Sequence, residues 1–226
     1  MWTAFSLAIS DVFTAAGRRA LLLSLGGALA LLAVLWVGAA ALLTLVPAGP
    51  FHGFDIIIDV LGSLAALFIA WLLFPSLSIL VLGIFLDPFV TAIEHERYPH
   101  LPIARRIGVG ELIRSSLQLA ILAVVLNLVL LPIYLVPVVN IAAYYAINGY
   151  LVGRTYFEVI ALRRIELRDV RAMWRGSRAY YSMAGAIIAF FLTLPFLDLV
   201  TPLIGAAFML HLFENSRSLS AAKLVA

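Results

Sequence analysis

Two stretches of this chain carry no charge at all for longer than a bilayer is thick. Ala20 to Phe51 runs for 32 residues without an ionisable acid or base of the Asp, Glu, Lys or Arg type, and Val60 to Leu86 for another 27. About 20 apolar residues suffice to carry a helix through hydrocarbon. Charge is scarce elsewhere too: of the 226 residues 64% are hydrophobic and 12% charged, and the mean hydropathy is +1.10. A soluble domain carries roughly 25% charged residues, so too few polar groups are left to cover a water-facing surface. That excludes a soluble enzyme, a disordered chain and a nucleic-acid-binding module. Cysteine is absent, which excludes disulfides and thiolate metal sites.

The second half of the chain is apolar in a different way. Ser115 to Gly153 is 39 uncharged residues, but Pro132 and Pro137 interrupt it, and the stretch from Tyr180 to Leu210 is broken by Pro195, Asp198 and Pro202. The arms left over, Ser115–Leu131, Asn140–Gly153, Ala179–Leu194 and Thr201–Phe213, have 17, 14, 16 and 13 residues. At 1.5 Å per residue they reach about 20–26 Å, less than a full crossing. The expected fold is an all-α integral membrane protein with two long transmembrane helices and two Pro-broken hairpins, whose arms either cross the bilayer or penetrate it only part way. The hairpins resemble each other weakly, each with a Pro-rich tip followed by small residues, and the small residues suit close helix packing in lipid.

Residues 2–15 read as an amphipathic interfacial helix, because Trp2, Phe5, Ile9, Val12 and Phe13 recur at helical spacing. The opening residues do not read as a cleavable signal, since the apolar run after Arg19 is too long for one. One membrane domain over 1–226 is expected. It comprises spans over 20–51 and 60–86, a segment 87–114, a hairpin over 115–153, a basic helix over 154–178 and a second hairpin over 179–213. The loop between the spans has only Asp55 and Asp59, whereas Arg154–Arg178 has seven Arg against three acids. By the positive-inside rule both termini and both charged segments are expected in the cytoplasm.

Three constellations carry candidate chemistry. Gly17-Arg18-Arg19 precedes the first long run; a helix starting there aims its free N–H groups at the same place as two guanidinium forks, which suits an oxyanion. Two arginines at a span terminus equally serve as topology determinants that snorkel to headgroups. Arg164, Arg168, Arg171, Arg175 and Arg178 are spaced 4, 3, 4, 3, which on one helix puts all five on one face. Such a face either binds anionic lipid or forms a basic vestibule that concentrates anions. At the hairpin tips, Thr201 before Pro202 reads as a helix start and Asn140 as the cap of the matching helix. Two such starts inside the membrane would point their positive ends at a shared cavity. Asp198 reads as a protonatable group or as a tip residue in the headgroup layer. No metal-ligand spacing joins the four histidines to nearby acids, and no phosphate loop follows a strand, so no enzyme, metal or cofactor is expected.

The order of these features resembles the CysZ-type sulfate permeases of bacteria and the related etoposide-induced membrane protein group. The resemblance rests on the N-terminal amphipathic helix, Gly17-Arg18-Arg19, a second span ending Leu86-Asp87-Pro88-Phe89, Glu94 and Glu96. It also takes in Asn148-Gly149-Tyr150-Leu151-Val152-Gly153-Arg154 running on through Thr155-Tyr156-Phe157-Glu158, and the closing Pro-broken hairpin. It implies an oligomeric inner-membrane protein that brings sulfate into the cell for cysteine synthesis, with Arg18 and Arg19 at the sulfate. The glycine here stands directly before Arg18, whereas the family signature places one residue between. The expected partners are sulfate or a related oxyanion, membrane lipid and further copies of the chain. The alternative is a non-transporting membrane scaffold of the same fold that binds lipid or a partner protein.

Overall fold

In hydrocarbon a backbone amide has to find its acceptor inside the chain, and helices do this residue by residue. The computed structural model describes residues 1–43, 62, 81, 84–105, 107–194 and 197–225, and among these there are helices and no strand. In chain order they are α1 (Trp2–Val12), α2 (Ala15–Leu43), α3 (residues 84–97), α4 (Val109–Leu130), a 3-10 turn (Leu131–Leu135), α5 (Pro137–Ala161), α6 (Leu167–Leu192) and α7 (Thr201–Val225). Among the described residues two stretches are long and apolar enough to cross a membrane, Ala15–Gly38 and Ile113–Ile133. The expected span over 60–86 and the loop before it lie almost wholly outside the described residues.

Packing divides the chain into two compact units, Met1–Gly17 with Pro88–Ala226, and Arg18–Asp87. In the smaller unit α2 buries a narrow strip of Ala20, Ser24 and Ala28, and a Cβ on Gly27 would come within 2.8 Å of Val81. The rest of its apolar surface, Leu22, Leu29, Val34 and Trp36 among it, stays open. An apolar helix that buries so little protein surface is solvated by lipid.

The larger unit is built around a backbone-to-backbone crossing of α5 and α6. A Cβ on Gly185 would fall 2.1 Å from the Gly149 carbonyl oxygen and 2.3 Å from the Gly153 amide nitrogen. Gly149 and Gly153 are one helical turn apart and form a groove that only a glycine on the facing helix can enter, the small-residue route to close packing in lipid. Around this crossing the Phe157 ring lies 4.3 Å from that of Tyr181, tilted at 42°, and 5.9 Å from Phe213 of α7. α7 is buried almost throughout its first half, from Thr201 to Glu214.

Three expectations change on seeing this unit. First, α1 packs on α7 through Ala4, Phe5, Ala8, Asp11 and Val12, while Trp2 and Phe13 stay exposed. The apolar stripe is therefore shared between two directions, because the buried face includes a carboxylate that finds a partner on α7. Second, the helical stretch that holds the first arm extends beyond Ser115–Leu131 at both ends. The stretch Ile113–Ile133 has 21 residues, about 32 Å as a helix, because Pro132 sits early in the 3-10 turn, where it breaks no interior hydrogen bond. Third, no separate basic helix occupies 154–178. Arg154 and Glu158 lie in α5, a turn follows, and α6 runs from Leu167 into the hairpin arm with one break at Ser177 (φ −132°, ψ 22°). Gly176-Ser177 is a pair that tolerates such a kink.

Substituting Gly185 with Ala places a methyl group against backbone that has no room to move. The expected result is a loss of about 3 kcal/mol or more, read as a clear drop in melting temperature of the detergent-purified protein. Gly26→Ala, with nothing within 4 Å of the new Cβ, should leave that temperature within a degree or two.

Candidate functional site

A helix start offers free N–H groups only until something else takes them. α2 begins at Ala15, so Gly17 is already inside its first turn. The Thr14 hydroxyl accepts the Gly17 N–H at 3.3 Å and donates to the Asp11 carbonyl at 2.6 Å. A Cβ on Gly17 would lie 2.2 Å from the Val12 carbonyl oxygen, so this glycine lets the carbonyl end of α1 abut the start of α2. The sequence leads one to expect an anion against open N–H groups; the one at Gly17 is taken by the Thr14 hydroxyl. Arg18 and Arg19 follow on α2, both exposed, and neither makes an ion pair among the described residues.

The hairpin tips are also capped differently from expectation. Val136 caps α5, with Pro137 at its first position, and Asn140 lies within the helix, its N–H bonded to the Val136 carbonyl at 2.8 Å. At the second tip Thr201 does not point forward as a cap. Its hydroxyl donates back to the Leu197 carbonyl at 2.6 Å, and its N–H bonds the same carbonyl at 2.8 Å. A turn over 197–200 therefore feeds into α7, and Asp198 within it is partly exposed. Among the described residues no hydrogen bond or ion pair joins the two tips.

The five arginines of the 164–178 stripe part company. Arg164 precedes α6 and turns inward, with 3% of its side chain exposed, while Arg178 lies beyond the break at Ser177. Arg171 donates to the Gln118 side chain on α4, and Arg168, Arg175 and Arg178 are exposed. Sequence spacing assumed an uninterrupted helix from 164 onward, and the chain leaves helical geometry between Leu162 and Glu166.

What the inward arginines reach is a buried ionic cluster. Glu94 on α3 accepts from Arg163 at 3.0 Å and from Arg164 at 2.8 Å, and Arg163 also donates to Thr91 at 2.8 Å. Burial pushes the Glu94 carboxyl upward, against the pull of Arg164, and the Glu214 charge adds to the rise. Burial, then repulsion from Arg164, lowers the Arg163 guanidinium. A second chain of contacts crosses the same unit. His211 on α7, fully buried, places Nε2 2.7 Å from the Asp11 carboxylate and Nδ1 2.7 Å from the Tyr98 hydroxyl. Arg97 donates to the other Asp11 oxygen at 2.6 Å. Burial, then the charges of Glu214 and Asp11, pushes the Tyr98 hydroxyl up to about 12. A third cluster joins the Ser115 hydroxyl to Glu158, which also pairs with Arg154 at 2.8 Å.

The sequence reading did not single out Asp11, Arg97, Tyr98 or His211. Asp11 interrupts an apolar helix and His211 interrupts an apolar arm, and an isolated polar residue on a buried face is the signal that would have found them. Among the described residues no group of three or more His, Asp or Glu side chains is placed to hold a metal ion.

Helices that bury polar clusters among themselves while turning long apolar faces outward define a helical membrane protein. The chain belongs to the sulfate transporter CysZ/etoposide-induced protein 2.4 family, whose model matches residues 4–202. This is a transporter family and not an enzyme family. No curated protein matches the sequence.

Glu94→Gln takes away the buried carboxylate charge that both the Arg163 and the Arg164 guanidinium reach. A loss of about 3–5 kcal/mol in stability is expected, checked by thermal unfolding in detergent. For Tyr98 the proton is held more tightly in the fold, near 12, than at the ordinary value of 10. That contribution is complete below pH 10 and is lost as pH rises through about 12. Melting temperatures taken across that window should fall in the native protein and fall less in Tyr98→Phe.

Proposed function

We propose that this protein carries sulfate across the bacterial inner membrane, supplying sulfate assimilation and cysteine synthesis, with Arg18 and Arg19 as its anion-binding pair. The observation that carries the reading is the family match over residues 4–202, joined to two exposed guanidiniums at the start of a stretch, Ala15–Gly38, able to cross a membrane. A dianion entering a low-dielectric path needs cations fixed along it, and guanidinium forks bind tetrahedral oxyanions through two oxygens at once. Arg175 and Arg178 are exposed on α6, and a basic face of this kind raises the local anion concentration.

In this reading α2 and α4 span the bilayer. The chain passes several times through it, both termini are cytoplasmic, and α1 lies along the interface through Trp2 and Phe13. α5, α6 and α7 insert their apolar halves as a wedge, which leaves the charged clusters of Glu94 and Glu158 toward the cytoplasmic side. Partly inserted hairpins gain by packing against further copies, so the working form is a homo-oligomer.

The test is radiolabelled sulfate uptake into proteoliposomes. Arg18→Ala with Arg19→Ala should cut the flux by roughly 10-fold or more for each guanidinium removed, with the melting temperature unchanged. Native flux in the double variant would remove these residues from the mechanism. Absence of sulfate flux and of sulfate-specific binding in the unaltered protein would favour a non-transporting scaffold.

A further inference from the structure

Among the described arginines near the start of α4, Arg105 has an ion-pair partner, and Arg114 and Arg168 have none. Arg105 pairs with both oxygens of Glu111 at 2.8 Å, which lowers the Glu111 carboxyl and raises the guanidinium. Glu111 in turn accepts the Leu167 N–H at 3.1 Å, so a carboxylate already serves the start of α6. Arg114 on α4 and Arg168 on α6 are exposed and make no ion pair or hydrogen bond among the described residues. Together with Arg105, Glu111 and Glu166 they line a cleft of about 360 Å³. Three guanidiniums against two carboxylates leave one net positive charge, held by the two unpartnered forks.

The surroundings of this cleft identify its occupant. Arg114 stands one residue past Ile113, where the membrane-crossing stretch of α4 begins. From there Leu117, Ile121, Val124 and Leu128 continue along the same helical face at spacings of 3 to 4 residues, all exposed. No residue from 116 to 133 is buried. A single net charge in an open cleft attracts a free anion only weakly, because water and salt screen it. An anionic group carrying acyl chains gains apolar contact along the adjoining stripe as well, and one with a phosphate offers the oxygen geometry that guanidinium forks match.

We propose that the Arg114–Arg168 cleft is a binding site for the phosphate headgroup of an anionic phospholipid whose acyl chains lie along the exposed face of α4. It sets the depth of α4 in its leaflet. The site depends on α4 crossing the membrane and is independent of which solute the protein carries.

The experiment uses the full chain in detergent, where no membrane surface contributes a general electrostatic attraction. Native mass spectrometry counts bound dioctanoyl phosphatidylglycerol and dioctanoyl phosphatidylcholine over a titration. The unaltered protein should retain the anionic lipid in preference to the zwitterionic one. Arg114→Ala with Arg168→Ala should weaken the anionic lipid by about 30-fold, roughly fivefold for each guanidinium. Arg175→Ala with Arg178→Ala removes the same charge from exposed positions outside the cleft and should change retention less than twofold. Arg114→Gln alone, expected to lose about fivefold, answers the same question if the first double variant is unstable. Equal losses in the two double variants would overturn the proposal, as would an unchanged preference in Arg114→Ala with Arg168→Ala. So would inorganic phosphate or sulfate that displaces the lipid at the lipid's own concentration, since the cleft would then serve a free oxyanion.

Discussion

A guanidinium or carboxylate withdrawn from water has to meet its opposite inside the fold, and this requirement organises the larger unit. Arg163 and Arg164 both turn from the surface to the Glu94 carboxylate. That meeting ties the turn after α5 to α3. Asp11, His211, Tyr98 and Arg97 do the same for α1, α7 and the end of α3. The ionic contacts are directional and specific to their partners, whereas the apolar packing around them is not. They therefore select one arrangement of helices from the many that a lipid-soluble sequence could adopt.

The glycine crossing supplies the complementary constraint. In lipid, apolar side chains gain little by leaving hydrocarbon for protein, so helices associate where their backbones can approach closely. Gly149, Gly153 and Gly185 make that approach, and the aromatic rings of Phe157, Trp174 and Tyr181 fill the space beside it. α4 follows the opposite pattern. It presents Leu, Ile and Val outward along its whole apolar length and has polar contacts at its start, through Glu111, Ser115 and Gln118.

Much of this was legible residue by residue. The uncharged run after Arg19 marked α2, and the Pro-rich interruptions marked the ends of the hairpin arms. The roles of single residues at those ends were less legible. Thr201 carries the composition of a cap and yet bonds backward to Leu197, because a turn already precedes it. Asn140 sits one turn inside a helix that Val136 caps. The stripe from Arg164 to Arg178 has a regular period, but the period is meaningful only if the helix is continuous. The chain turns at 162–166 and breaks again at Ser177.

The sequence by itself determined that this chain is helical, lives in a membrane and has its charges gathered at helix ends, because those outcomes follow from composition and spacing along the chain. The tertiary structure decided which charges are buried and with whom. Arg164 faces Glu94 and Arg168 faces an open cleft although the two are four residues apart, and Asp11 meets His211 across 200 positions of sequence. Those pairings depend on how helices are laid against one another, which no local pattern of charge or hydropathy encodes.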